Sequence, residues 1–344
     1  MDTRLIGGVT PPRRLTTRSG LRAAVLSAGL IFLLLLPPAA LALDEPYVVV
    51  LFTRIVILAI AAIGLDLILG YGGMVSFGHA AFVGAGGYMA GVLMHHAFEE
   101  SPLIAWPIEL GGAESALVTW PAAVLASALL ALVIGAISLR TSGVYFIMIT
   151  LAFAQMLFYL AISLRRYGGE DGLVLFGRAT LPGLDLEDDV TFYYVCLALM
   201  LAVLGLARRL VDSRFGMVLR GCRQNPVRMQ ALGFPIYRYR LTAFVIAGAV
   251  AGLAGALLIN LGTFVSPALL AWTRSGEILV MVILGGMGTL VGPIFGAAAL
   301  LLLEEYLGAY TEHWMAILGP VLILVVLLAR RGLYGWLAGG ERSG

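Results

Sequence analysis

The sequence contains no lysine: all 22 basic residues are arginine. That absence excludes two kinds of chemistry. A phosphate-binding loop for ATP needs a lysine at the β- and γ-phosphates, and a Schiff-base enzyme needs a lysine amine. If such a chain runs on ATP, another polypeptide must hydrolyse it. Charge of either sign is scarce too, at 12% of residues against about 25% in soluble domains. Only two cysteines are present: Cys196 lies in an apolar run and Cys222 in an arginine-rich loop. Their different depths argue against a disulfide or a thiolate metal site. The four histidines, His79, His95, His96 and His313, show no HExxH or similar ligand spacing. No catalytic residue and no metal site follow from the sequence.

What is there is apolar. Of 344 residues 60% are hydrophobic, with a mean hydropathy of +0.97, so lipid is the main solvent. A net charge of +2 does not point to nucleic acid, because the arginines cluster at the ends of apolar runs rather than along one stripe. Residues 1–20 are polar and proline-containing and read as a disordered cytoplasmic tail. A single membrane domain follows over 21–336, and 337–344 form a short cytoplasmic tail.

Apolar runs cover about 21–43, 47–69, 76–94, 117–139, 144–164, 191–206, 241–262, 278–284, 291–303 and 314–329. The first run ends in Ala40-Leu41-Ala42, which is similar to a signal-peptidase site. Yet it is longer than the usual signal core of about 7–15 residues, which favours a retained transmembrane helix. The eighth and ninth runs are short of the roughly 20 residues a spanning helix needs and are divided by Gly285-Gly286-Met287-Gly288. They form either two tilted helices or one re-entrant pair. The expected fold is all-α, a polytopic membrane bundle of ten segments, with eight as the alternative. Arginine placement puts both termini in the cytoplasm and the acidic loops 97–116 and 164–190 outside.

Between two long apolar runs lies 213–240, SRFGMVLRGCRQNPVRMQALGFPIYRYR. A charged loop of this length cannot lie in hydrocarbon, and its arginine excess marks it as cytoplasmic. A short helix fits Gly216 to Gly233, interrupted at Pro226 and stopped at Gly233. Such a helix either presents itself to a partner or is a solvated loop touching anionic headgroups.

Gly70-Tyr71-Gly72-Gly73-Met74-Val75-Ser76-Phe77-Gly78-His79 interrupts two apolar runs. The break suits a substrate pathway; close packing through small residues, for which Gly84, Gly86, Gly87 and Gly91 are equally suited, is the other reading. Ser76, His79, Thr150, Gln155 and Asn260 are uncharged polar residues in or beside apolar runs, able to line a path for a zwitterionic solute or to tie helices together. Arg54 and Asp66 fall about 18 Å apart in one helix, too far to pair. Asp66 is placed near the cytoplasmic end, Arg54 deeper and facing the bundle interior.

Several stretches in order resemble the permeases of branched-chain amino acid ABC transporters, LivM-type. They are GYGGMVSFGHAAFVGAGGYMAG, GVYFIMITLAFAQM at 143–156, GGEDGL at 168–173, FGMVLRGCRQNPVRMQALGF at 215–234, GGMGTLVGPIFGA at 285–297 and the C-terminal TEHW…ARRGLYG. The resemblance covers about 47–336. It implies an importer permease in the bacterial inner membrane that binds no cofactor itself, ATP being used by partner subunits. The implied partners are a second, homologous permease, two cytoplasmic ATPases and an extracytoplasmic solute-binding protein. It also implies that Arg220, Arg223, Asn225, Arg228, Ala231 and Gly233 form the segment that docks in the ATPase. Ser76, His79, Thr150, Gln155 and Asp66 are candidates for the translocation path. Asp66 departs from the family, many members having a neutral residue there; other members import urea or short amides. Two further classes remain: an ion-coupled carrier acting alone, dependent on Asp66 or Arg54, and an intramembrane enzyme built on Ser76 and His79, which lacks an acidic orienter.

Overall fold

The computed structural model describes residues 16–102, 111–310 and 332–337, with 313, 316, 317, 319, 320 and 323 between the last two. Helix α1 spans Thr16–Ala42, α2 Pro46–Asp66, α3 His79–Phe98, α4 Ala116–Ser138 and α5 Val144–Ser163. Then follow α6 Asp189–Asp212, α7 Arg214–Gln224, α8 Pro226–Ala231, α9 Ile236–Gly262, α10 Trp272–Gly285 and α11 Gly292–Tyr310. A last helix covers Gly332–Leu337. Seven helices among the described residues are long and apolar enough to cross a membrane: α1, α2 with its continuation to Tyr71, α4, α5, α6, α9 and α11. Helix α3 runs 20 residues through the bundle and α10 only 14.

Helix α1 carries Pro37 and Pro38 in its interior. A proline offers no N–H, so the carbonyls four residues earlier, Leu33 and Leu34, lose their intrahelical donors. Adjacent tyrosines on α6 replace them: Tyr193 Oη donates to Leu33 O at 2.8 Å and Tyr194 Oη to Leu34 O at 3.0 Å. In lipid an unpaired carbonyl is costly, so these two bonds fasten α1 to α6 at a defined height.

At the centre stands α2, buried along nearly all of its length among α6, α9, α10 and α11. Helix α9 packs on α3 and α4 through small residues. A Cβ at Gly86 would overlap the backbone of Gly252, and one at Gly255 would overlap the Val83 carbonyl. Ser127 of α4 donates to Phe82 O of α3 at 2.8 Å. Backbones this close gain dispersion contacts that lipid tails cannot match.

The chain ends of the bundle separate cleanly. One end, here the arginine end, gathers residues 67–73, 139–143, 213–240 and 285–291. The opposite end gathers 96–102, 111–115, 164–188, 263–266 and the last turn of α11, while 267–270 fold back against α3 and α5. There a two-stranded antiparallel ladder pairs Leu173 with Val265 and Val174 with Phe264. Arg178 pins the connection before α6: Nε donates to Asn260 O at 3.1 Å, Nη1 to Leu186 O at 2.9 Å and Nη2 to Asp189 Oδ1 at 2.5 Å. Asn260 Oδ1 accepts from Ala179 N at 2.7 Å, so Asn260 is a tie between segments. Asp188 caps α6, accepting from Thr191 Oγ1 at 2.7 Å and Thr191 N at 2.9 Å; the hydroxyl, then the amide, hold its carboxyl below the usual carboxylate range.

The structure adjusts some of these expectations, and others fall outside the described residues. Helix α1 begins at Thr16, within the stretch read as a tail, and 1–15 lie outside the described residues. The third helix starts at His79 rather than Ser76, inside the bundle. Arg54 is half-buried and near enough to Glu304 for their charges to interact. The tenth run, 314–329, lies largely outside the described residues, as do the tails 337–344 beyond Leu337.

Candidate functional site

The break between α2 and α3 is built in three parts. Helix α2 widens into a π-helical turn over Leu67–Tyr71, a feature that inserts a residue and frees backbone groups. Gly73 then takes a φ of +68°, and 74–78 run without helix. Helix α3 starts at His79, and its contacts fix the depth of that start. His79 Nε2 bonds Ala61 O at 3.1 Å. Ala61 lies ten residues before Tyr71, about 15 Å from the arginine end at 1.5 Å per residue. Ala80 N donates to Ser275 Oγ at 2.9 Å, and Ser275 lies ten residues before Gly285, again about 15 Å from that end. Gly78 packs against Thr150, six residues or about 9 Å into α5. The N-terminus of α3, with the positive end of its dipole, therefore opens near mid-membrane.

Ser76, His79, Thr150 and Ser275 are all 0% exposed and meet around this helix start. Ser76 Oγ accepts from Gly78 N at 3.2 Å, and Thr150 Oγ1 donates to Ile147 O at 3.0 Å. Nδ1 of His79 has no hydrogen-bond partner among the described residues. Gln155 stands apart, half-buried on α5 and five residues beyond Thr150. Asp66 is separate too, at the arginine end. Ser275 escaped sequence reasoning because a lone serine at the start of an apolar run carries no signal; only the fold brings it to Ala80.

At the arginine end the loop closes as two helices, α7 and α8, broken at Asn225. Asn225 Oδ1 caps α8, accepting from Arg228 N at 2.9 Å, and Pro226 takes the first helical position where no N–H is needed. Gly233 ends the unit with a φ of +86°. Arg220, Asn225, Arg228 and Ala231 are exposed on this surface. Arg223 reaches back instead: its Nη1 donates to Gly70 O in the π turn. Arg240 Nη2 donates to Cys222 O at 3.2 Å, tying α9 to α7; burial pushes the Cys222 thiol up, so it is an inert packing group.

Asp66 is 0% exposed and its carboxylate is fully engaged. Oδ1 accepts from Gly288 N at 2.7 Å and Oδ2 from Leu290 N at 3.1 Å, fixing the α10–α11 loop to the end of α2. In that loop Leu290 holds a φ of +58°, a conformation that costs a side-chain-bearing residue on the order of 1–3 kcal/mol.

A multi-pass helical bundle in which one helix starts near mid-membrane, beside a structured arginine-rich surface, is an arrangement that membrane transport proteins use. Residues 47–327 match the family model described as branched-chain amino acid transport system / permease component, and the chain belongs to that family. The permease protein LivM of the high-affinity branched-chain amino acid transport system of Salmonella typhimurium is 28% identical over 309 residues, 82% of this chain and 68% of the relative. The corresponding LivM of Escherichia coli gives the same identity over the same 309 residues. LivH of Escherichia coli, a permease protein of the same type of system, is 30% identical over 137 residues, 39% of this chain and 44% of the relative. No solved structure matches.

Proposed function

We propose that this chain is a transmembrane permease subunit of an ATP-binding-cassette importer, moving branched-chain or related hydrophobic amino acids across the bacterial inner membrane. The observation that carries this reading is the match of 47–327 to the permease family. It acts with a second homologous permease, in keeping with its likeness to both LivM and LivH proteins. Two cytoplasmic ATPases supply the energy, since a chain without lysine has no phosphate loop of its own, and an extracytoplasmic binding protein delivers the solute. The chain crosses ten times, with α10 and α11 as two separate crossings and with both termini and the arginine end in the cytoplasm.

The exposed surface of α7 and α8, with Arg220, Asn225, Arg228, Ala231 and Gly233, docks in the ATPase. Closure of the ATPase pair pushes on it and shifts the permeases between inward-open and outward-open arrangements, a rigid-body switch. Ser76, His79, Thr150 and Ser275 line the path at mid-membrane, with Gln155 further along α5. All but Gln155 are buried, so the path is closed at this level. On opening, the head of α3 offers positive potential to a carboxylate and His79 Nδ1, an acceptor while Nε2 donates to Ala61 O, takes a hydrogen bond from an ammonium group, while the surrounding apolar side chains accept a branched aliphatic group.

Replacing Arg220 and Arg228 with glutamate tests the docking assignment. The double variant inserts at normal levels, and co-purification of the ATPases falls by about tenfold or more, because like charge across an interface costs several kcal/mol. Wild-type amounts of assembled complex in that variant would remove α7–α8 as the docking surface.

A further inference from the structure

Three segments remote in sequence meet at Gly70: α7 through Arg223, the π-helical end of α2, and the α10–α11 loop. The meeting is close. A Cβ at Gly70 would overlap both the Asp66 carboxylate and the backbone of Gly288, and one at Gly73 would press on the Arg223 stem. Asp66 holds Gly288 and Leu290 by their amides, and Arg223 holds the Gly70 carbonyl one turn along and lies near enough to attract the Asp66 carboxylate. From that loop α10 continues as one rigid helix to Ser275, whose hydroxyl accepts from Ala80 at the head of α3.

We propose, on the importer reading above, that Arg223 and Asp66 are positioning residues that carry motion from the arginine surface to the mid-membrane break. Arg223, an exposed residue, reaches its guanidinium to the Gly70 carbonyl and moves Gly70 with α7. Asp66 clamps the α10–α11 loop to the same point, and α10 relays the displacement to Ser275 and the start of α3. Leu290, whose amide Asp66 holds, carries a positive φ, so the clamp sits at a strained backbone point where the loop can change if the bond is released. Arg223 thus leaves the ATPase-docking set that the family resemblance implies and becomes a link inside the permease.

The test uses the full complex in proteoliposomes with its binding protein, and leucine as probe. Co-purification of ATPases with the wild-type chain checks the importer reading first and independently. Asp66→Asn keeps size but turns one acceptor oxygen into an amide donor facing a backbone N–H. The expected result is normal assembly and basal ATP hydrolysis, with uptake and its coupling to hydrolysis lowered by about 5- to 150-fold, the range of an allosteric coupling. Arg223→Ala, at an exposed residue whose loss leaves no cavity, reproduces the uncoupling, and Arg223→Lys, which restores a donor for Gly70 O, recovers part of it. Wild-type uptake per ATP in both Asp66→Asn and Arg223→Ala overturns the proposal. So does a loss of uptake that merely tracks loss of assembled complex, which would make both residues structural only.

Discussion

Pro37 and Pro38 show how single residues set an interface in lipid. Each removes a donor from α1, and each vacancy is filled by one hydroxyl, from Tyr193 and Tyr194. Removing those hydroxyls leaves two carbonyls in an apolar setting while the ring packing stays. Interhelical hydrogen bonds in membranes contribute about 0.6 kcal/mol on average and up to about 1.7. The double variant Tyr193→Phe/Tyr194→Phe is therefore expected to unfold in mild detergent at a midpoint a few degrees lower, with α1 the first segment open to protease. An unchanged midpoint and unchanged cleavage would mean that α1 is held by side-chain packing alone. No sequence signal announces this pairing: the prolines and tyrosines lie 156 residues apart, and only the fold faces them. Asp66 is similar. Its depth could be read from the sequence as near one end of a helix, but its partners are backbone amides of residues 288 and 290, which no side-chain pattern reports.

At the scale of elements, the apolar runs and the glycines were legible and the break was partly so. The sequence left open whether the glycine-rich stretch marks a pathway or close packing. The structure contains both arrangements in adjacent parts. Residues 72–78 are the irregular segment, while Gly84, Gly86, Gly87 and Gly91 of α3 lie against α9, the helical turn at 267–270 and Val265. What composition could not give was the height of the helix start, because that depends on contacts with Ala61 and Ser275 on other helices. The seams of α9 with α3 and α4 make a sharp prediction. A valine at Gly252 would drive its Cβ into Ser127 on α4, and the paired valine at Gly86 into the α9 backbone. Overpacking of this kind costs about 1–3 kcal/mol and more where backbone must move. Each single variant is expected to fall severalfold in folded yield by fluorescence-detected size exclusion, whereas Gly205→Val, on an open face of α6, keeps full yield. Equal yields for all three would contradict a backbone-to-backbone seam. The arginine segment was readable down to its break at Pro226 and its stop at Gly233, because capping and proline rules act locally. The inward reach of Arg223 was not, since an arginine stem can turn either way and the sequence shows only its presence.

For the whole molecule, low charge and long apolar runs establish a multi-pass membrane protein, and the family match gives its class. The missing lysine leaves the sequence without a phosphate-loop motif, in keeping with the proposed division of labour between this permease and separate ATPases. Substrate choice was not legible, because the polar groups at the break are few, neutral and closed off. The most direct test of the account is leucine uptake into proteoliposomes holding the purified chain alone, or the complex that co-purifies with it, each with and without enclosed or added ATP and with and without an imposed ion gradient. The account predicts uptake only by the complex, only with binding protein and hydrolysable ATP, and without need of a gradient. Accumulation of leucine by the chain alone, driven by a proton or sodium gradient, would contradict it and make this protein a secondary carrier.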